Sequence, residues 1–439
     1  MAPRFYSGFC VLALTLACNG DDNASTGAST STTTGEPKTT GEPTMTGGPT
    51  TTGGSTTTGG PTTTGGPTTT GEPTTTGEST GESSTSSPGT TTETTGDPAE
   101  GFVHNAQGVT AVGPDHTPIL LRGANLWAYN DSLRETEQGW YIWDSKIFDA
   151  ASLAEIADDL CMNTVRLNLD FRAFEEDAAP YEYKPEGWAW LDERIAWAKA
   201  QGVYVILDMH APQGGYQSFG FSGAFWGGGP KHVANRERLK ALWTAIAGRY
   251  ADETAIAAFD LINEPLPQST AGYFTYMQEV IDAIRTVDGN HMIIVEEAFN
   301  DGFAWQTLDE TNLAFDTHFY NPWSYAAQQG GGITYPNGSL TSETQEEDLL
   351  DYGLQFAIDH GIAFNIGEYG IRQYLSEHPE LGPQEYLEDL HQLFESYGVG
   401  SQIWSYHAPD WGIYHNSLGE LPSPEGRNEL LYQVFQGGC

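Results

Sequence analysis

Glu264 and Glu368 close two similar runs of sequence. Phe259, Leu261 and Ile262 lead into Asn263-Glu264-Pro265, and an apolar run from Ile362 leads through Gly367 into Glu368. A short apolar run suits the inside of a sheet, and Pro265 has no N–H to continue a ladder, so pairing is expected to stop there. Each glutamate then stands at the C-terminal tip of a strand, the first with an amide beside it. One carboxylic acid that gives and retakes a proton, facing one carboxylate that attacks, is the pair that cleaves a glycosidic bond. Either glutamate alone reads as an ordinary surface acid, so the elements that would bring the two together decide the matter.

Strands alternate with helices from residue 119 onward. The expected strands are Ile119–Asn125, Thr164–Leu169, Val203–His210, Phe259–Pro265, His291–Glu297, Leu313–His318, Ile362–Glu368 and Gly400–Ser405. Helical stretches fall between them at 153–160, 188–200 (with Gly202 as its C-terminal stop), 235–250, 273–287, 346–359 and 384–397, and a last helix is expected at 427–435. Eight strands with intervening helices predict an α/β fold, a (β/α)8 TIM barrel. A doubly wound open sheet lacks support, because no Gly-x-Gly-x-x-Gly follows the first strand. In a barrel, functional side chains gather where strands end. The polar residues of these strands fall there: Arg166, His210, Asn263, Glu264, His318, Tyr320 and Glu368, with Trp404 on the last strand.

Four motifs in this order, Asp208-Met209-His210, Asn263-Glu264-Pro265, His318-Phe319-Tyr320 and Gly367-Glu368-Tyr369-Gly370, resemble glycoside hydrolase family 5 over essentially all of residues 100–439. That resemblance implies a retaining glycosidase needing no metal or organic cofactor. Glu264 matches the general acid/base and Glu368 the nucleophile, with carboxyl groups expected roughly 5–5.5 Å apart. Charge on Glu368 would keep the proton on Glu264 until the glycosyl ester forms. Arg166 matches the arginine that holds the nucleophile ionised. Asn263 would bond the sugar 2-hydroxyl, Tyr320 would donate to Glu368, and His210 and His318 would line the cleft. Trp404 offers a face for a pyranose ring, and Asn125 a further polar wall.

Glu296 and Glu297 also end an apolar strand and compete for the nucleophile's part. The family order favours Glu368, and one of the pair is left free to face the cleft. Loop aromatics follow the strands: Trp127, Trp140, Tyr141 and Trp143, then Phe225 and Trp226, Trp323 and Tyr325, Trp411 and Tyr414. Of these, Trp226 and Trp323 are the chosen substrate-binding candidates. Cys161 precedes the second strand and Cys439 follows the last helix, so both fall at the opposite barrel face and are expected to pair.

Residues 1–18 carry Arg4, a short apolar core and a box ending in Cys18 that resembles a lipoprotein cleavage site, although Thr15 stands where Leu is usual. The expectation is export, with Cys18 as the lipid-bearing residue and the cell surface or outer membrane as the address. Plain secretion is the alternative. Residues 19–99 repeat Gly-Gly-Pro-Thr-Thr-Thr and Gly-Glu-Pro-Thr-Thr-Thr. With almost nothing apolar to bury, they read as a disordered Thr/Gly/Pro linker.

The whole chain has 439 residues and a net charge of -41, and residues 99–439 hold 50 Asp and Glu against 16 Lys and Arg. Such a balance argues against nucleic acid and polyanionic polysaccharides as partners and fits a neutral polysaccharide or oligosaccharide; a monomer is the expectation. Within the family, the likeness to its bacterial cellulases implies an endo-β-1,4-glucanase as the first reading. β-Mannanase and β-1,3-glucanase activity are the alternatives within the class, and a non-catalytic surface carbohydrate-binding protein is the alternative outside it.

Overall fold

The computed structural model describes residues 101–127, 148–215, 217, 224–299, 304–416 and 420–436. Eight parallel strands close into one barrel: β3 (Arg122–Trp127), β4 (Thr164–Asp170), β5 (Tyr204–Ala211), β6 (Ile256–Asp260), β7 (Met292–Glu296), β8 (Leu313–His318), β9 (Ala363–Tyr369) and β10 (Gly400–Ile403), with β10 pairing back onto β3. A preceding two-stranded hairpin, β1 (His104–Asn105) with β2 (Ala111–Val112), was not expected from the sequence. It explains why the first barrel strand starts at Arg122 and not Ile119. The Ile119 N–H is already donated to the Ala111 carbonyl of the hairpin at 2.9 Å.

The period of two along each strand divides its residues. Val165, Leu167 and Leu169 of β4, with Val205, Leu207 and Met209 of β5, pack outward against the helices in one large apolar layer. The alternating positions point into the barrel. Low in the barrel these are Ile206, Ala258, Ile294, Ala314 and Ala363, buried together with Val103 and Leu121. Two residues further along each strand the inward set becomes Asp208, Asp260, Glu296, Asp316 and Asn365, all buried. An apolar floor thus carries a polar storey above it, at the ends where the strands stop.

The helices that pack around the strands are α2 (Pro185–Ala200), α3 (Pro230–Tyr250), α4 (Thr270–Arg285) and α9 (Pro383–Tyr397), with α1 (Ala150–Asp158) early in the barrel's chain and α10 (Glu429–Gln436) at its end. Pro opens α2, α3 and α9 at the position where its missing N–H costs nothing. The single helix expected over 346–359 is two, α6 (Ser342–Leu349) and α7 (Gln355–His360), joined by a wider turn at Leu350–Leu354. Gly353 has φ 132 there, and a Cβ on it would lie 2.2 Å from Nε1 of Trp305. The indole therefore occupies the space a regular helix would need.

Cys161 is disulfide-bonded. Cys439, its expected partner, lies outside the described residues, as do Cys18 and the whole of 1–100. No helix among the described residues is long and apolar enough to cross a membrane.

Candidate active site

Arg166 is the centre of the polar storey. It sits on β4, fully buried, and each of its five N–H groups has an acceptor. Nε donates to Asp260 Oδ2 at 2.9 Å. Nη1 donates to Asn125 Oδ1 at 3.0 Å and to Glu368 Oε1 at 3.2 Å. Nη2 donates to Asn263 Oδ1 at 2.9 Å and to Glu296 Oε1 at 2.8 Å, with Asp208 Oδ1 at 3.1 Å completing the shell. The carboxylates of Asp208, Asp260 and Glu296 converge closely enough to hold a metal ion, and the guanidinium is the cation they hold. Asn125 then ties three strands together, donating to the Gly367 carbonyl at 2.8 Å and leaning on those of Gln402 and Ile403.

The structure brings Glu264 and Glu368 face to face. Oxygens of the two, with a nitrogen of His318, all lie within 4.8 Å of one another. Their side chains are 12% and 6% exposed, against 0% for Asp208, Asp260, Glu296 and Asp316, so within this acidic cluster only these two reach the open side.

Glu368 arrives by a local irregularity. Between Thr317 and His318 the β8–β9 register shifts, so His318 partners Glu368 and not Gly367. Gly367 is required at that step, because a Cβ would lie 2.5 Å from Asp316 Oδ1. Glu264 arrives by a second one. The strand expected to run to Pro265 ends at Asp260. The chain beyond stays between its neighbours through Leu261 N–H to the Ile294 carbonyl and Asn263 N–H to the Met209 carbonyl, both at 3.2 Å. Glu264 itself is left-handed, φ 44, which costs a non-glycine residue ~1–2 kcal/mol. Its N–H is donated to Glu296 Oε2 at 2.7 Å.

The remaining groups set protonation. His318 Nδ1 is 3.0 Å from Glu264 Oε1 and 3.4 Å from Glu368 Oε2. Burial works against its charge, but the carboxylates of Glu368 and Glu296 outweigh burial and hold the imidazole protonated well above its ordinary range. Burial pushes Glu368 above the usual carboxylate value and Glu264 adds to this, while His318 and Arg166 pull back. The Tyr320 hydroxyl donates to Glu368 Oε2 at 2.9 Å, and burial beside that carboxylate keeps its proton on well above the phenol norm.

On the other wall, Asn168 donates to Asp208 Oδ2, which also meets His210 Nδ1 at 2.8 Å. Burial opposes ionisation of Asp208, yet Arg166 and His210 prevail and hold its pKa low. Deeper down, burial drives Asp316 up to about 7 and Asp260 and Glu297 well above the carboxylate range.

The aromatic candidates separate. Trp404 is half-buried, stacks on His210 at 5.3 Å with planes 9° apart, and lies 5.0 Å from Trp127. Trp323 is 40% exposed and stacks on Trp411, and both rings meet Tyr320. Trp226 is not brought to this group. It is 8% exposed, wedged edge-on among Phe225, Tyr273 and Tyr276, where it fills the space over α4. Tyr325 is wholly buried against Tyr335 and Tyr386, and the Tyr414 hydroxyl is taken by Glu155 at 2.5 Å. Trp140, Tyr141 and Trp143 lie outside the described residues. Sequence reasoning passed over Asp260, Asn168 and Asp316. Their signal was a polar residue at an inward position of an otherwise apolar strand.

The family model described as Cellulase (glycosyl hydrolase family 5) matches residues 114–410. Endoglucanase C of Acetivibrio thermocellus is 25% identical over 305 residues, 61% of this chain and 85% of that protein. Among solved structures, endo-glycoceramidase II from Rhodococcus sp. superposes with a TM-score of 0.56 at 20% identity, covering 76% of this chain and 80% of that one. A β-glucanase from Saccharophagus degradans in complex with cellotetraose gives 0.54 at 19% identity, covering 77% and 93%. At these identities the two structures speak for the (β/α)8 fold alone.

Proposed function

The chain belongs to glycosyl hydrolase family 5, and from that premise we propose a retaining endo-β-glycosidase that cuts β-glucan, with the β-1,4-linked chain as first choice. It is a glycoside hydrolase with cellulase-like relatives. The carrying observation for the mechanism is the approach of Glu264 and Glu368 to within 4.8 Å across an open side. That gap leaves no room for a water between carboxylate and sugar, as an inverting enzyme needs, and suits direct attack.

In this reading Glu368 attacks the anomeric carbon while Glu264 protonates the departing oxygen. The resulting ester at Glu368 removes one negative charge from the group that His318 and Arg166 face. Glu264 then takes a proton from water, and the water's oxygen opens the ester with a second inversion. Asn263, anchored by Arg166, is the bonding partner for the 2-hydroxyl, and Trp404 is the floor for the ring.

The preference for β-1,4-glucan draws on the endoglucanase relative. Mannan and β-1,3-glucan remain the competing substrates on the same scaffold. Incubation with carboxymethylcellulose, mixed-linkage glucan, galactomannan and laminarin, read as new reducing ends, tests the choice. Activity on the first two that vanishes in Glu368→Gln supports it, and activity on galactomannan alone replaces it. Proton NMR of the first product formed tests retention. We further propose export on a lipid carried by Cys18, for which loss of labelled fatty acid in Cys18→Ala is the test.

A further inference from the structure

Glu296 stands at the end of β7 with no exposed surface, and the proposed chemistry assigns it no part. Its two oxygens serve different partners. Oε1 accepts from Arg166 Nη2 at 2.8 Å, and the other nitrogen of the same guanidinium holds Glu368. Oε2 accepts the backbone N–H of Glu264 at 2.7 Å. That N–H belongs to a non-glycine residue in the left-handed region, a conformation that persists only where its surroundings fix it. Glu296 is in turn fixed: Tyr273 donates its hydroxyl to the Glu296 carbonyl at 2.9 Å, and the residue pairs with Asp316 in the β7–β8 ladder. Its neighbour Glu297 makes no such bridge; its carboxyl accepts from Thr317 at 3.0 Å.

We propose that Glu296 is a positioning residue that sets the direction of the Glu264 carboxyl, bridging through one carboxylate the backbone of the acid/base and the arginine of the nucleophile. The inference rests on the roles given to Glu264 and Glu368 above. A carboxylate is needed because its partners, the Arg166 guanidinium, the Glu264 N–H and the protonated His318, whose Nε2 lies 3.5 Å from Oε1, are all donors. Glutamine offers one acceptor and one donor at the same place, so at least one of these N–H groups must face another N–H. The group that then moves is the one whose backbone conformation is strained, and a general acid displaced by even an ångström protonates a leaving oxygen poorly.

The test uses aryl β-cellobiosides with leaving groups of graded acidity, 2,4-dinitrophenyl, 4-nitrophenyl and phenyl, on the full chain. A dinitrophenolate departs without a proton, whereas phenolate needs one. Glu296→Gln is expected to lose at least about tenfold more kcat/KM on the phenyl than on the dinitrophenyl substrate, a part of the 10²–10⁴ that acid catalysis supplies. Because the ratio is taken within one sample, partial unfolding of the variant leaves it unchanged. Glu297→Gln, the control on the same strand end, is expected to keep the wild-type ratio. An equal loss on all three substrates in Glu296→Gln, or the same skew in Glu297→Gln, overturns the inference while leaving the roles of the two catalytic glutamates intact. A Glu264→Gln variant with no dependence on the leaving group overturns the acid/base assignment and this inference with it.

Discussion

Arg166→Lys keeps one positive charge at the centre of the site and removes the fork. The consequence can be counted. Arg166 spends five N–H groups on five acceptors, of which Asp260, Glu296 and Glu368 are carboxylates and Asn125 and Asn263 are amides. A lysine has three N–H groups on one atom, so at least two acceptors lose their donor in a space closed to solvent. A hydrogen bond to a charged group contributes ~1.5–3 kcal/mol, so the loss should total about 3–6 kcal/mol of stability.

Activity should carry a second signature. Burial already pushes Glu368 upward and Arg166 is one of the groups opposing that push. A nucleophile must be ionised, so kcat/KM falls as pH drops through the Glu368 pKa. With the Nη1 contact gone that acidic limb should move up by about one unit. Urea unfolding and the pH profile of kcat/KM read the two effects on one protein. Stability within about 1 kcal/mol of wild type together with an unmoved acidic limb would sink the reasoning.

Trp226→Ala should cost about 3–5 kcal/mol of stability and leave KM unchanged in the folded fraction, because the ring is packing; Trp323→Ala should do the reverse, with melting near wild type and a raised KM. Tyr320→Phe removes the donor to Glu368 Oε2 and should lower kcat about tenfold with little change in KM, read by steady-state kinetics. Asp316 has a folded-state pKa of about 7, above its ordinary value, so its contribution to stability is full below pH 4 and is lost as pH rises through 7. Relative to wild type, Asp316→Asn should therefore gain up to about 4 kcal/mol between pH 4 and pH 8 in denaturation curves, and a gap that does not change with pH refutes this.

The barrel was legible because apolar runs of strand length alternate with amphipathic helices, and that pattern is local. The seven polar strand-end residues from Arg166 to Glu368 were legible for the same reason: each interrupts or terminates such a run, and the structure gathers them at one end. Three features were not. Glu264's turn away from β6 depends on a carboxylate 32 residues later, a partner that no local pattern announces. The shift that turns Glu368 inward depends on Asp316 meeting the Gly367 N–H at 3.1 Å, again across strands. Trp226 was misjudged because exposed and buried tryptophans in a loop look alike until Tyr273 and Tyr276 are seen beneath one of them. Local chemistry proposes the residues, while pairings between strands choose their orientation.

The order of strands around the barrel divides the machinery in half. Arg166, His210, Asn263 and Glu264 come from β3–β6 and the loops behind them; Glu296, His318, Tyr320, Glu368 and Trp404 come from β7–β10. Neither half owns a catalytic pair. The two are joined at the β6–β7 boundary by Glu296 and at the β10–β3 seam by Asn125, so a chain that has formed one half lacks the Arg166 contacts to Glu296 and Glu368 that complete the site. Competence in this protein is thus a property of closure. A stalled or nicked half-barrel should be inert toward substrate, and two separately expressed halves should regain turnover only in the proportion that they find each other.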